Sequence, residues 1–411
     1  MSRRAFFVLL MLAFLDSAAF GLIYPLFSCM LFDPRWHFVD PQTSQAVRGM
    51  WMGVFIAATP IVAMLVSPFV GNLSDRIGRR KVIIVCLCFG AVSWLYAAYS
   101  VFMLSLFGVA LGRVTMGISV ASFAVANACI ADISESADKG RRYAWMGVAF
   151  GAGFAIGPLL GGLFASEAFF GQESLIRPFV IASMLTALNT LLVYLWLPET
   201  CTAGKEHHTP MSFVTFVKEL GDIDSRLIIL LFSTFLFCFG WSFYLDFIPV
   251  WWVDRFKMSA GDVSLYFGYG AVWYVLSCGI LVGPVLRRVA PLTVFPVAAI
   301  ALFLCIWFLL LENTPQIYFW LLPLQNIAAS FLFPVAATAI SEMATKEHQG
   351  KVMGYYTSAE SLGFGIGPLT SGPFLGIHLL MPVVIGGLAV LIAGLIVLRL
   401  RKKLLSGPMS G

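Results

Sequence analysis

The chain has 411 residues, of which 60% are hydrophobic and only 11% are charged. A soluble domain carries about 25% charged residues, so this composition excludes a soluble globular protein and indicates an integral membrane protein. The eight cysteines lie mostly in apolar stretches, without the paired spacing of a disulfide framework or a zinc site, and we expect no metal and no cofactor.

Long apolar segments follow one another along the whole chain. The first begins with a basic start like that of a signal peptide, but it continues past Asp16 to Phe32 without a small-residue cleavage pattern, so we expect a retained spanning helix. A spanning helix needs about 20 mainly apolar residues, and the chain divides into about twelve such segments. They are continuously apolar rather than alternating, which favours helices over a membrane barrel. They begin near Ala5, Gly49, Val82, Met103, Tyr143, Arg177, Leu227, Asp262, Pro291, Gln316, Val352 and Leu379.

The basic residues between these segments predict the orientation. Most of the 26 Lys and Arg residues fall on the face that carries both termini, which the positive-inside rule places in the cytoplasm. The net charge of +5 therefore reflects membrane topology, and a nucleic-acid partner is not expected. The polar break from Leu197 to Arg226 divides the chain nearly in half. We predict an all-α membrane protein of twelve transmembrane helices, with one six-helix bundle at 1–200, a cytoplasmic linker at 201–225 and a second six-helix bundle at 226–411.

A repeated motif supports this division. The glycine- and proline-rich run from Gly153 to Gly162 returns 210 residues later from Gly363 to Gly372, and Asp132 falls on Glu342 in the same register. Internal repeats of this kind are typical of transporters. The halves are therefore predicted to be duplicated bundles.

Two motifs resemble those of a known family. The run from Gly71 to Ile83 matches the loop motif between helices two and three of the major facilitator superfamily, and the run from Gly153 to Gly162 is similar to a helix-five motif of its antiporter branch. The chain thus resembles the drug/proton antiporters of that superfamily, which include the tetracycline efflux proteins. The resemblance covers the whole length, although the second copy of the loop motif has Arg287 where Asp75 would stand. Further similar residues are Asp16, Gly21, Pro25, Arg113, Gly117 and the run Leu197-Pro198-Glu199-Thr200.

The loop motif combines turn-forming glycines with charges at cytoplasmic helix ends. An acid beside a helix N-terminus is favoured by about 0.3 to 1 kcal/mol, enough to bias one of two conformations. The resemblance implies that Asp75 does this at the start of helix eleven, with Asp132 and Arg142 in the same charge network. In the alternative interpretation, the basic residues only fix the topology.

The helix-five motif places small residues four apart, which lets two helix backbones approach closely. The resemblance favours a hinge or seal between the bundles, and the alternative is a packing face without a mechanistic role. The predicted gating residues of both motifs are Gly71, Asp75, Arg76, Gly78, Arg79, Arg80, Asp132, Arg142, Gly153, Gly157, Pro158, Gly161 and Gly162.

Four charged residues interrupt the apolar segments, although a charge in hydrocarbon costs about 2.5 to 3.5 kcal/mol on insertion scales. Asp16 lies about 15 Å along the first helix, near the membrane middle, where a carboxyl group suits proton loading and release; a structural pairing is the alternative. Arg113 is predicted to take part in proton coupling or substrate binding, or to form a structural ion pair. Glu360 aligns with Phe150 of the first repeat and is expected to carry a proton or to hold a cationic cargo. Asp246 is either functional or simply hydrated near the outer mouth.

Aromatic residues crowd the seventh segment. Stacking faces beside an acid suit flat, amphipathic or cationic compounds, and we predict that Trp241 and Tyr244 face a cavity. Trp251 and Trp252 fit an interfacial aromatic belt better.

These features together predict a proton-coupled secondary active transporter that exports small amphipathic compounds by alternating access. The sequence lacks the glycine–lysine loop of nucleotide hydrolases, so an ion gradient is the expected energy source. We expect no enzymatic activity, because the five histidines have no suggestive acid or nucleophile beside them. The alternatives are a nutrient or metabolite/proton symporter of the same fold and a non-transporting membrane receptor. The expected setting is a monomer in the bacterial cytoplasmic (inner) membrane, whose partners are a small-molecule substrate, protons and the lipid bilayer.

Overall fold

The computed structural model describes residues 2–134, 139–166, 174–200, 225–311, 314–343 and 349–405. Apart from Ser225, the predicted linker lies outside these residues. The regular structure within them is helical, as predicted, because a segment in lipid must pair its backbone polar groups internally. The α-helices are α1 (Ser2–Ile23), α2 (Leu26–Phe32), α3 (Gln45–Ile77), α4 (Arg79–Phe102), α5 (Leu106–Val120), α6 (Ser122–Ile133), α7 (Lys139–Ala165), α8 (Ile176–Trp196), α9 (Ser225–Phe256), α10 (Ala260–Ser277), α11 (Gly283–Leu286), α12 (Pro291–Leu311), α13 (Pro315–Glu342), α14 (Gln349–Ile377) and α15 (Met381–Leu405).

Eleven segments of the described residues are long and apolar enough to cross a membrane. The remaining predicted span corresponds to α14, whose 29 residues extend about 43 Å at 1.5 Å per residue and exceed the hydrocarbon core of about 30 Å. It is less apolar because it contains Glu360 together with several Gly, Ser, Thr and Tyr residues. The structure thus agrees with the predicted twelve-helix fold.

Two predicted spans are each built from two helices. The first comprises α1 and α2, which meet at Tyr24 and Pro25, and the fourth comprises α5 and α6, which meet at Ala121. Proline lacks the N–H that would continue the ladder of α1, which explains the first break.

The chain forms two compact units. The first contains Met1–Thr43, Val54–Pro210 and Lys257–Gly268, and the second contains Ser44–Gly53, Met211–Phe256 and Tyr269–Gly411. Two helices are therefore divided: α3 begins in the second unit, and α10 begins in the first.

The two units repeat the same helix packing. In the first, α1 packs against α7 and α8, and α4 packs against α5 and α8. In the second, α9 packs against α14 and α15, and α12 packs against α13 and α15. These are the equivalent pairs of a duplicated bundle, so the repeat deduced from the glycine motif extends to the tertiary structure.

Glycines set the register of the closest pair in each unit. Gly153 of α7 faces the carbonyl of Phe14, and Gly363 of α14 faces the carbonyl of Phe235. One turn later, Gly157 faces Ala18, and Gly367 faces Phe239 in the same way. A side chain at Gly153, Gly157 or Gly363 would collide with the neighbouring backbone, and one at Gly367 would collide with the Ser242 hydroxyl, so glycine permits the close approach.

The core of the first unit is built from aliphatic side chains on four helices. Leu12 of α1, Leu87 of α4, Val125 of α6 and Val193 of α8 are all fully buried. Since lipid is as apolar as these side chains, close packing and interhelical hydrogen bonds hold the helices together. One such bond runs from Asn189 Nδ2 to the Leu12 carbonyl at 3.2 Å.

Candidate functional site

Asp16 is a buried carboxyl group with no compensating charge among the described residues. Its side chain is 9% exposed, and its Oδ1 atom has no hydrogen-bond partner among the described residues. The thiol of Cys86 on α4 lies within electrostatic range of it. A structural pairing of Asp16 with a base is therefore absent from the part of the chain that the structure describes.

Arg113 of α5 is 1% exposed and is held by carbonyl and aromatic groups. Its Nε donates to the Phe55 carbonyl at 2.7 Å. The guanidinium carbon lies 4.8 Å from the ring centroid of Phe20, 5.3 Å from that of Phe27 and 5.7 Å from that of Trp94. Each such cation–π contact contributes about 0.5 to 2 kcal/mol. One terminal nitrogen of Arg113 lacks a partner among the described residues, and the predicted alternative of a structural ion pair is not seen there.

Glu360 lies on α14 and is half-buried. The hydroxyl of Tyr356, one turn earlier, donates to its Oε1 atom. Cys238 of α9 and Tyr274 of α10 lie within electrostatic range of the carboxyl group. Glu360 is therefore surrounded by hydroxyl and thiol groups of the second unit.

Asp246 on α9 is the most isolated acid of the four predicted charges. It is 1% exposed, and neither carboxyl oxygen has a hydrogen-bond partner among the described residues. This burial does not favour simple hydration near an outer mouth, and the choice between the two interpretations of Asp246 stays a prediction.

Trp241 and Tyr244 stack on each other, with ring centroids 5.6 Å apart. They are 5% and 1% exposed, and the Tyr244 hydroxyl donates to Gln325 Oε1 at 2.7 Å. Both side chains are thus buried within the second unit, and a cavity-lining role stays a prediction.

The loop motif between α3 and α4 forms a charge cluster. Arg79 bonds Asp132 through Nε at 2.5 Å and Asp75 through Nη1 at 2.9 Å, and Nη1 also bonds the Ser74 hydroxyl at 3.1 Å. Gly78 has a φ of 106°, a conformation that favours glycine. The membership of Asp132 in this network agrees with the expectation. The contact of Asp75 with the start of the eleventh spanning segment, which is α14, stays a prediction.

The other basic residues predicted to take part in gating differ in their surroundings. Arg80 donates to the Tyr194 carbonyl, and its guanidinium lies 5.5 Å from the Tyr194 ring centroid. Arg142 donates to the Ile133 carbonyl at 3.0 Å, while Arg76 is exposed.

Gly71 and the glycines of α7, which is the fifth spanning segment, differ in how closely other residues approach them. A side-chain carbon at Gly71 would meet no atom of the described residues within 4 Å, so no close contact with them requires glycine at that position. Gly153, Gly157 and Gly161 all face the backbone of α1. Only Gly162 points elsewhere, toward Ser264 of α10 in the same unit.

Pro158 lies inside α7 without ending the helix. A proline removes one backbone donor, and the close packing of neighbouring helices compensates in membranes. The hinge or seal predicted for this motif stays a prediction.

Three participants escaped the sequence reasoning. Glu199 accepts hydrogen bonds from the backbone N–H of Arg79 at 2.8 Å and of Arg80 at 3.3 Å, so it caps the start of α4. The motif Leu197-Pro198-Glu199-Thr200 pointed to Glu199, but nothing in the sequence pointed to the start of α4 as its partner. Tyr356 stands four residues before Glu360, the spacing of neighbours on a helix face, and a glutamine within an apolar segment could have indicated Gln325.

Comparison with known proteins is consistent with this arrangement. A family model described as Major Facilitator Superfamily matches residues 6–324 and 280–408. The chain is 28% identical over 376 residues to the class C tetracycline resistance protein of Escherichia coli, covering 90% of this chain and 89% of that protein. It is 24% identical over 412 residues to the quinolone resistance protein NorA of Staphylococcus aureus, covering 98% and 97%.

Among solved structures, a D-xylose-proton symporter matches with a TM-score of 0.73 at 16% identity, covering 96% of each chain, which supports the fold alone. The duplicated helix packing, the loop motif and the family match lead to one conclusion. The chain is a multi-pass membrane protein that belongs to the Major Facilitator Superfamily.

Proposed function

We propose that this protein exports small amphipathic compounds from the cytoplasm in exchange for protons, by alternating access. The tetracycline and quinolone resistance proteins that it resembles support the direction of transport and the class of cargo. The proposed location is the bacterial inner membrane, with both termini in the cytoplasm, in agreement with the distribution of Lys and Arg.

The observation that carries the proposal is the buried carboxyl group of Asp16, which has no charged partner among the described residues. A permanently ionised, unpaired carboxylate at this depth is costly, so the group is stable there when it is protonated. A change of conformation that hydrates the site favours release of the proton. Asp16 is accordingly assigned the role of a proton carrier in the coupling step.

The cluster around Arg79 is assigned the conformational role. Arg79 joins the end of α3, the start of α4 and the end of α6 through Asp75 and Asp132. Asp75 is 45% exposed, and an ion pair with an exposed acid contributes only about 0 to 1 kcal/mol, which suits a contact that forms and breaks in each transport cycle.

The test is transport in everted membrane vesicles from an efflux-deficient bacterial host. With an acidic vesicle interior, the native protein is expected to accumulate tetracycline or another lipophilic toxin from a small panel. Asp16→Asn is expected to reach the membrane in normal amounts and to lose pH-driven accumulation, because the amide cannot carry a proton.

Asp33→Asn is the matched control, since Asp33 is 6% exposed but pairs with Arg35 at 2.6 Å outside the predicted spans. It is expected to transport normally. Normal pH-driven accumulation by Asp16→Asn would remove Asp16 from the mechanism. Uptake in right-side-out vesicles with inward proton flow, without accumulation in everted ones, would instead indicate a symporter.

A further inference from the structure

Glu360 occupies a position at which the duplicated fold has an apolar side chain. In the first unit, Phe150 packs against Phe123 with ring centroids 5.5 Å apart. The repeat register places Glu360 at the position of Phe150 and Phe333 at the position of Phe123. The second unit has thus exchanged an aromatic ring for a carboxyl group while keeping its aromatic neighbour.

The groups identified around Glu360 supply no positive charge. The Tyr356 hydroxyl on its own helix donates to it, and the Cys238 thiol on α9 and the Tyr274 hydroxyl on α10 lie within electrostatic range. No Lys or Arg among the described residues pairs with Glu360. When ionised, the carboxylate therefore lacks a counter-ion in the part of the second unit that the structure describes.

Tyr356 satisfies the carboxyl group in either protonation state. The hydroxyl has a single hydrogen and two acceptors in reach, Glu360 Oε1 and the Phe333 carbonyl at 3.3 Å. Beside an ionised Glu360, this hydrogen goes to the carboxylate. Beside a protonated Glu360, the carboxyl group donates to the Tyr356 oxygen, and the Tyr356 hydrogen goes to Phe333. The carboxyl group of Glu360 thus keeps a hydrogen-bond partner whether or not it is ionised.

Two phenylalanines lie near Glu360 in the fold: Phe364 is one turn after it on α14, and the Phe333 carbonyl accepts a hydrogen bond from Tyr356. Phe333 and Phe364 stack with centroids 6.0 Å apart and planes 11° apart, and Phe237 lies 4.8 Å from Phe333 edge-on. A carboxylate beside aromatic faces recognises an organic cation through charge and cation–π attraction. A metal ion fits less well, because no group of three or more His, Cys, Asp or Glu side chains that could hold one occurs among the described residues.

We infer that Glu360, Tyr356 and the Phe333–Phe364 stack form a binding site for a lipophilic organic cation with a single positive charge. The inference rests on the proposed export function and specifies its cargo. Glu360 is half-buried, so a ligand can reach it, whereas Asp246 in the same unit is 1% exposed. A single carboxyl group matches a single charge on the ligand.

The test is equilibrium binding to the purified full-length protein in lipid nanodiscs. The two probes are tetraphenylphosphonium and tetraphenylborate, which share their shape and differ in the sign of a permanent charge. The native protein is expected to bind the cation and to reject the anion, with weaker cation binding at acidic pH because a proton occupies Glu360. Glu360→Gln is expected to weaken cation binding about tenfold or more, and Glu360→Asp is expected to retain part of it.

Glu342→Gln is the control, because Glu342 is an exposed acid at the end of α13, and its cation binding is expected to be unchanged. Tyr356→Phe is expected to reduce the pH dependence of cation binding. Equal cation binding by the native protein and Glu360→Gln, or a preference of the native protein for tetraphenylborate, would overturn the assignment. Vesicle transport separates the two proposals. Cation binding that depends on Glu360, without pH-driven export, would contradict the proposed export function. Export driven by pH, without cation binding that depends on Glu360, would contradict the proposed cation site.

Discussion

The close contact between α7 and α1 makes a quantitative prediction at Gly157. A side-chain carbon added there would lie 2.5 Å from the Ala18 carbonyl oxygen, 2.8 Å from the Leu22 nitrogen and 2.9 Å from the Gly21 carbonyl carbon. All three atoms belong to the backbone, so a flexible side chain cannot move aside. Overpacking of this kind costs about 1 to 3 kcal/mol, and Gly157→Ala is expected to destabilise the protein by that amount.

The same helix supplies the matched control. A side-chain carbon at Gly151 would meet nothing within 4 Å, so Gly151→Ala adds no collision. By helix propensity alone, alanine is favoured over glycine by up to about 1 kcal/mol. Thermal unfolding of the two variants in detergent, followed by the loss of the monodisperse peak on size exclusion, measures the difference. The reasoning is refuted if Gly157→Ala unfolds at the same temperature as Gly151→Ala.

Two further changes test partners that only the structure revealed. Glu199→Gln removes the charge from the cap of α4 and is expected to lower thermal stability by about 0.5 to 2 kcal/mol; an unfolding temperature equal to that of the native protein would contradict the capping role. Tyr244→Phe leaves the buried Gln325 oxygen without its donor and is expected to cost about 1 to 3 kcal/mol. The double variant with Gln325→Leu is expected to recover part of that loss, because both polar partners are then absent, and strictly additive unfolding free energies would argue against the pairing.

Much of the fold follows from local properties of the sequence. Run length and apolarity locate the spans, because a helix pairs its backbone groups within its own segment. The same reasoning places Glu360 in an otherwise apolar helix and marks the duplication through the glycine motif. The spans depend on neighbours within a few turns, and the duplication depends on a comparison of two stretches of sequence, so neither needs tertiary information.

Side-chain partners depend instead on contacts between distant segments. Glu199 and the backbone of Arg79 are 120 residues apart in the sequence, yet they form the cap of α4. Likewise, the spacing of Gly153 and Gly157 predicts a close helix contact, but it does not identify α1 as the partner. The lack of a base beside Asp16 also became visible only with the packing of its neighbours.

The alignment of the two repeated units relates the positions of Asp16 and Glu360, the two acids that the proposals use. Asp16 follows Phe14 by two residues on α1, and Phe237 follows Phe235 by two residues on α9, so these two positions correspond. Asp16 in the first unit thus matches Phe237 in the second, while Glu360 in the second unit matches Phe150 in the first. At this pair of positions each unit therefore has one carboxyl group and one aromatic ring. In the first unit the carboxyl group is on the first helix of the pair, and in the second unit it is on the other helix.

Such an exchange gives the two acids different surroundings on a shared scaffold. Asp16 is buried without a hydroxyl donor to its Oδ1 atom, whereas Glu360 has Tyr356 and an aromatic stack beside it. A buried carboxyl group without a hydrogen-bond donor favours its protonated form. A carboxyl group beside a hydroxyl donor and aromatic rings can also hold its ionised form together with an organic cation. The two proposals therefore assign different roles to the two acids: Asp16 carries the proton and Glu360 receives the cargo, because one fold provides two unequal surroundings for a carboxyl group.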